Sequence, residues 1–164
     1  MAKKAKRPAK RPKKPYRSVY EERIAVNLKK HKRIVSFRYE PFRIQYLLPI
    51  DRYKCQDCGS DNIGAKRWYT PDFIIESRKG KNSFLLEAKG KFTAKDRKKI
   101  LAVRNSNPDL DIRLLFQRDN KIHRNSETRY SEWATRNGFM YDIGESVPKI
   151  WLTKLTDNGD ETNE

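Results

Sequence analysis

Two β-branched and aromatic runs, residues 68–75 and 83–89, flank a polar turn at 77–82, and that pairing constrains the chain more than any other feature. It predicts a β-hairpin. Side chains in a strand alternate between faces, so Leu85, Glu87 and Lys89 share one face while Leu86 and Ala88 pack on the other. An acid at the start of one arm lies beside the end of the other. Asp72, in Tyr69-Thr70-Pro71-Asp72-Phe73, should therefore converge with Glu87. So short a pattern is often no more than an exposed acid and a cross-strand salt bridge. Here both acids and the lysine interrupt otherwise apolar runs on one hairpin, in a chain that is otherwise strongly basic. An acidic cluster in that setting is best explained by a metal. Mg²⁺ prefers such sparse oxygen ligation, one or two carboxylates completed by water and phosphate oxygens. The adjacent lysine can orient or deprotonate an attacking water, or neutralise charge on a phosphate in transfer.

The rest of the chain supplies a frame for that hairpin. Ser18 and Glu21 have capping-box spacing, and Tyr20, Ile24 and Leu28 recur every four residues, predicting a helix over 19–30. Alternation predicts strands at 35–39 and 44–48. Residues 51–67 show neither period and read as a long excursion. Thr93 can cap a helix to about residue 104 with Ile100, Leu101 and Val103 inward. A strand at 112–116 follows, then a short helix around Tyr130, Trp133 and Ala134 ended by Asn137 and Gly138, and a strand at 139–141. The order α-β-β-β-β-α-β-α-β describes an α/β fold, a mixed sheet flanked by helices, without internal repeats.

Charge indicates the partner. Of the 164 residues, 38 are Lys or Arg and 21 are Asp or Glu, a net charge of +17. Residues 1–15 carry Lys3, Lys4, Lys6, Arg7, Lys10, Arg11, Lys13 and Lys14, with no acid and three prolines, and read as a disordered basic arm. The body remains basic without it, which favours nucleic acid over a merely solubilising tail. The prolines and the lack of apolar residues exclude a membrane-surface helix, and no run approaches the roughly 18 apolar residues of a membrane span. These features predict one soluble, intracellular domain without a membrane partner. Two cysteines allow at most one disulfide. Cys55-Gln56-Asp57-Cys58 is half a zinc knuckle, which would need a second pair from another subunit or a histidine, and His31 and His123 are far away in sequence. A plain loop with free thiols is the simpler reading.

Pro71-Asp72 with Glu87-Ala88-Lys89 is similar to the PD-(D/E)XK signature of restriction-endonuclease-like nucleases. Further segments, Tyr16-Arg17-Ser18 with Glu21, Glu87-Ala88-Lys89-Gly90, Asp96-Arg97-Lys98-Lys99 and residues 108–113, resemble in order the phage endonuclease I family of Holliday-junction resolvases. The resemblance spans about residues 16–152. It implies a restriction-endonuclease-like mixed sheet in a domain-swapped homodimer, with 49–68 as the inter-subunit bridge carrying the C-x-x-C insert and 153–164 as an acidic tail. It further implies a Mg²⁺-dependent endodeoxyribonuclease, with Mn²⁺ as a substitute, that resolves four-way junctions and other branched DNA in recombination, in the host cytoplasm if phage-encoded. By the same resemblance Asp72 bridges two metals, Glu87 and the Ala88 carbonyl bind one, Glu21 binds the other, and Lys89 serves the water. Glu22 is the alternative to Glu21. Arg17, Lys91, Lys95, Arg97, Lys98 and Lys99 join the arm as candidate DNA contacts. A non-catalytic architectural protein, or a sequence-specific nuclease on the same fold, would share the charge.

Overall fold

The computed structural model describes residues 15–49, 64–79 and 82–155. The basic arm from Lys3 to Lys14, Cys55 with Cys58, and the tail from residue 156 lie outside the described residues. The elements are α1 (Val19–Lys30), β1 (Val35–Tyr39), β2 (Ile44–Pro49), β3 (Gly64–Tyr69), β4 (Phe73–Ser77), β5 (Ser83–Lys89), α2 (Ala94–Ser106), β6 (Ile112–Phe116), α3 (Tyr130–Arg136), β7 (Met140–Ile143) and α4 (Lys149–Lys154). The α/β fold is the expected one, a mixed five-stranded sheet in the order β1-β4-β5-β6-β7 with a separate two-stranded ribbon, β2-β3.

The mixed character follows from how the strands are joined. The short turn after β4 permits only antiparallel pairing with β5, whereas α2 and α3 carry the chain back over the sheet, so β5, β6 and β7 run parallel. Parallel central strands are covered on both faces, and β6 is buried at all five positions. On one face Ile24 and Leu28 of α1 and Trp151 and Leu152 of α4 pack on Phe73, Ile75, Leu86 and Leu115. On the other, Ile100 and Val103 of α2, Ala134 of α3 and Tyr46 and Tyr69 of the ribbon cover Ile74, Leu85, Leu114 and Phe116.

Local chemistry sets the boundaries. Ser18 Oγ accepts the Glu21 N–H at 3.1 Å, starting α1 where the spacing predicted. Thr93 and Asp96 close a full capping box on α2. Gly138, at φ +67°, supplies the left-handed residue that ends α3.

Three features differ from the sequence reading. The run at 68–75 is broken: β3 ends at Tyr69 and β4 begins at Phe73, so the two halves belong to different sheets. Pro71 sits at the break, where a residue without an N–H cannot continue a ladder. The excursion at 51–67 contains the start of β3, whose Gly64 crosses β2 so closely that a Cβ would lie 2.9 Å from Leu47 Cβ. Helix α4 has no counterpart in the sequence pattern. Its six residues are too few for periodicity to register, yet Trp151, Leu152 and the following Leu155 are buried, so the folded body extends past residue 152.

Candidate active site at the hairpin end

The β4-β5 register pairs Phe73 with Leu86, so the next position along sets Asp72 opposite Glu87. Both are buried, at 7% and 2% exposure. The Asp72 carboxylate accepts the Ala88 N–H at 2.8 Å, extending the ladder one step with a side chain. Lys89 projects to the same spot, its ammonium 2.8 Å from Glu87 Oε1 and 3.9 Å from Asp72 Oδ2. The three residues expected to converge do converge.

Glu21 arrives from the first turn of α1. Its carboxylate does not return to the backbone N–H of Ser18, as a complete capping box would require. It accepts instead from the Arg17 N–H at 3.0 Å and from the Tyr39 hydroxyl at 2.6 Å. A cleft of about 470 Å³ between α1 and the sheet is lined by Glu21 together with Ala88, Gly90 and Gln117. Glu22 is exposed and lines a different cavity beside Arg23 and Val26, so the geometry brings Glu21 rather than Glu22 to the hairpin end.

The electrostatics are those of crowded acids. Burial pushes the Asp72 carboxyl up to about 7, the Glu87 charge adds to it, and Glu21 adds a smaller push, while Lys89 and the Ala88 N–H pull the other way. For Lys89, burial acts to lower the pKa, but the Glu87 and Asp72 carboxylates outweigh it and hold the ammonium well above its ordinary value. Lys89 is thus the internal countercharge of the pair. Among the described residues no three acidic, histidine or cysteine side chains form a ready-made metal cluster. The donor chemistry nonetheless suits a hard cation. Asp72, Glu87 and Glu21 offer only oxygen, and buried carboxylates outnumbering their cations is the condition a divalent ion relieves.

Sequence reasoning missed the residues that hold these acids. Tyr69, fully buried at the end of β3, donates its hydroxyl to Glu87 Oε2 at 2.5 Å; burial, then Glu87, raises its own pKa strongly. Tyr39, at the end of β1, does the same for Glu21. Both read as apolar strand residues, and the available signal was that a buried tyrosine hydroxyl needs a partner. Of the candidate DNA contacts, Lys99 reaches inward, 3.6 Å from Glu87 Oε1 and 5.3 Å from the Tyr69 ring centre. The Arg97 guanidinium donates to backbone carbonyls at Phe92 and Ile122, and Arg17 pairs with Glu40 at 2.6 Å. Lys91, Lys95 and Lys98 are exposed. No helix among the described residues is long and apolar enough to cross a membrane.

The chain is similar to enzymes of phages. The family model described as Phage endonuclease I matches residues 1–161. Endodeoxyribonuclease 1 of Enterobacteria phage T3 is 33% identical over 127 residues, 77% of this chain and 70% of that protein. Endonuclease I of Escherichia phage T7 is 28% identical over 138 residues, 84% of this chain and 78% of that protein.

Proposed function

The chain belongs to the phage endonuclease I family, and from that premise we propose that it is a metal-dependent DNA endonuclease that resolves four-way junctions and other branched DNA by phosphodiester hydrolysis. The observation that carries the reading is the meeting of Asp72, Glu87 and Lys89 at one end of the β4-β5 hairpin. An architectural DNA-binding protein would have no use for two buried acids there.

Asp72, Glu87, the Ala88 carbonyl and Glu21 would hold Mg²⁺, with Mn²⁺ as a substitute. When bound, the metal would supply a Lewis acid at the phosphate and a water of lowered pKa. The protein's own groups set the geometry. The Ala88 N–H and the Tyr69 hydroxyl fix one oxygen each of Asp72 and Glu87, and the second oxygen of Glu87 faces the Lys89 ammonium. Lys89, held as an ammonium by its two carboxylates, is suited to orienting the water and offsetting charge on the phosphorane-like transition state rather than to taking a proton. Lys99 adds a second cation at the same oxygen of Glu87.

Two symmetric cuts suit a two-fold dimer. In our reading the β2-β3 connection crosses between subunits, so each active site combines Glu21 of one chain with the hairpin of the other. Such an exchange keeps every contact described above and changes only which chain supplies α1, β1 and β2. The test of the activity is direct. Full-length protein is incubated with a labelled four-way junction and a matched linear duplex, with Mg²⁺ and with EDTA. Paired incisions in the junction, absent with EDTA and far slower on the duplex, are expected. Junction binding without incision at any divalent ion would overturn the reading.

A further inference from the structure

Resting on the endonuclease reading, we propose that a cavity outside the catalytic cluster, between the start of α2 and the β6-α3 loop, is a seat for one deoxyribose-phosphate unit of the DNA strand beside the cut. The cavity measures about 530 Å³, within the range of small-ligand clefts. Its floor is apolar, made by the buried Phe92 and Tyr130 and the half-buried Ile122. Its rim is cationic. Lys91 stands on one side, Lys121 and Arg124 on the other with His123 between them in sequence, and among the described residues no acidic side chain lines the cavity.

That combination selects among anions. An isolated inorganic anion is best held by a polar floor of N–H donors, whereas a sugar-phosphate unit has an apolar ring edge with charges only at its ends. An apolar floor between cationic rims matches the second. The seat is also built before any ligand enters. Arg97, half-buried, donates through Nη1 to the carbonyls of Phe92 at 2.7 Å and Ile122 at 3.3 Å, lashing the two walls together. The Phe92 N–H donates to the Tyr130 hydroxyl at 3.0 Å, and the Ile122 N–H to the Thr128 carbonyl at 2.9 Å. Arg97 is therefore a positioning residue, and Lys91, Lys121 and Arg124 are the ones available to phosphate. Lys121 pairs at 3.0 Å with Glu127, which is 94% exposed, a partner that a phosphate can replace at little cost.

Position ties the seat to the reaction. Lys91 lies two residues beyond Lys89, so their Cα atoms are at most ~7 Å apart. A phosphate held at Lys91 would therefore lie one or two backbone steps from a scissile phosphate at Lys89, on one side of the cut.

The experiment compares the full-length chain with K121Q/R124Q, both at exposed positions, and with a control of equal charge loss, K29Q/K30Q, on the last turn of α1 over the opposite face of the sheet. Junction affinity is measured in EDTA across a salt series, phosphate contacts are mapped by ethylation interference, and cleavage is followed in Mg²⁺. K121Q/R124Q is expected to flatten the slope of log affinity against log salt by roughly 1.8, two counterions' worth, and to erase interference at one or two phosphates beside the cut. The control should change the slope little and leave the interference pattern intact. If K121Q/R124Q retains the wild-type slope and pattern, or if the control matches it in both, the seat is refuted while the endonuclease reading stands. If the wild-type chain neither binds nor cuts DNA, both fall.

Discussion

Replacing Asp72 by Asn should make the protein dead and, above neutral pH, more stable. An unfolded aspartate titrates near 3.8 and this one near 7 in the fold, raised by burial and by Glu87. The folded chain therefore keeps a proton that the unfolded chain has already released. Stability contributed by the neutral form is present at low pH and is lost as pH rises from about 4 through 7. About three pH units at 1.36 kcal/mol each set a ceiling of about 4 kcal/mol, with roughly 2–3 kcal/mol of it falling between pH 5 and pH 8. Asn keeps an oxygen for the Ala88 N–H and carries no charge, and Lys89 retains Glu87 at 2.8 Å. Urea unfolding in EDTA at pH 5 and pH 8 should show the wild type losing this increment and D72N not losing it, with D72N the more stable protein at pH 8. Cleavage by D72N should be undetectable. Parallel pH dependences for the two proteins would refute the claim that Asp72 is a strained, charged acid at the working pH.

Tyr69→Phe should cost about 1.5–3 kcal/mol in the same unfolding assay, because it strips a buried carboxylate of a hydrogen bond, and should lower the single-turnover cleavage rate more than it weakens junction binding. Lys89→Ala should abolish cleavage, and its destabilisation should be larger at pH 8 than at pH 5, since the ammonium matters most when both neighbouring acids are ionised; equal loss at both pH values would contradict the arrangement. Removing residues 1–15 should flatten the salt slope of DNA binding by up to about 7, eight cations at roughly 0.9 each, while preference for the junction over duplex survives. Co-refolding Glu21→Ala with Glu87→Ala should restore single-strand nicking if subunits exchange α1, because one site then collects both lesions and the other neither; a mixture that stays inactive would mean unexchanged sites.

Much of this architecture was legible because the decisive signals were local. Capping chemistry at Ser18 and Thr93, alternation in β1 and β2, and the glycine after α3 each act within a few residues. The catalytic trio was legible for the same reason, since a hairpin converts sequence spacing into a shared position. What escaped was set by the tertiary fold. Nothing near Tyr69 or Tyr39 in sequence names the acid each hydroxyl will meet, because those meetings depend on how the ribbon and the edge strand pack. On charge alone Arg97 and Lys99 group together as DNA contacts. Helix geometry sends one to tie two backbone walls and the other to Glu87, a distinction that charge composition cannot make.

β1 is an edge strand of the five-stranded sheet. Its last turn places Glu40 at φ +44°, in the left-handed region, and from there the Glu40 N–H donates to the Asp72 carbonyl at 3.0 Å while the Asp72 side chain is held by Ala88. The residue at the centre of the proposed chemistry is thus pinned from an outer strand and from a central one, and the outer pin is the weaker. Edge strands open at lower free energy than the strands they flank. Each such opening releases Asp72 on one side without unfolding the molecule, so activity should fade at denaturant concentrations where the aromatic core is still intact, and backbone amides in β1 should exchange ahead of those in β5 and β6.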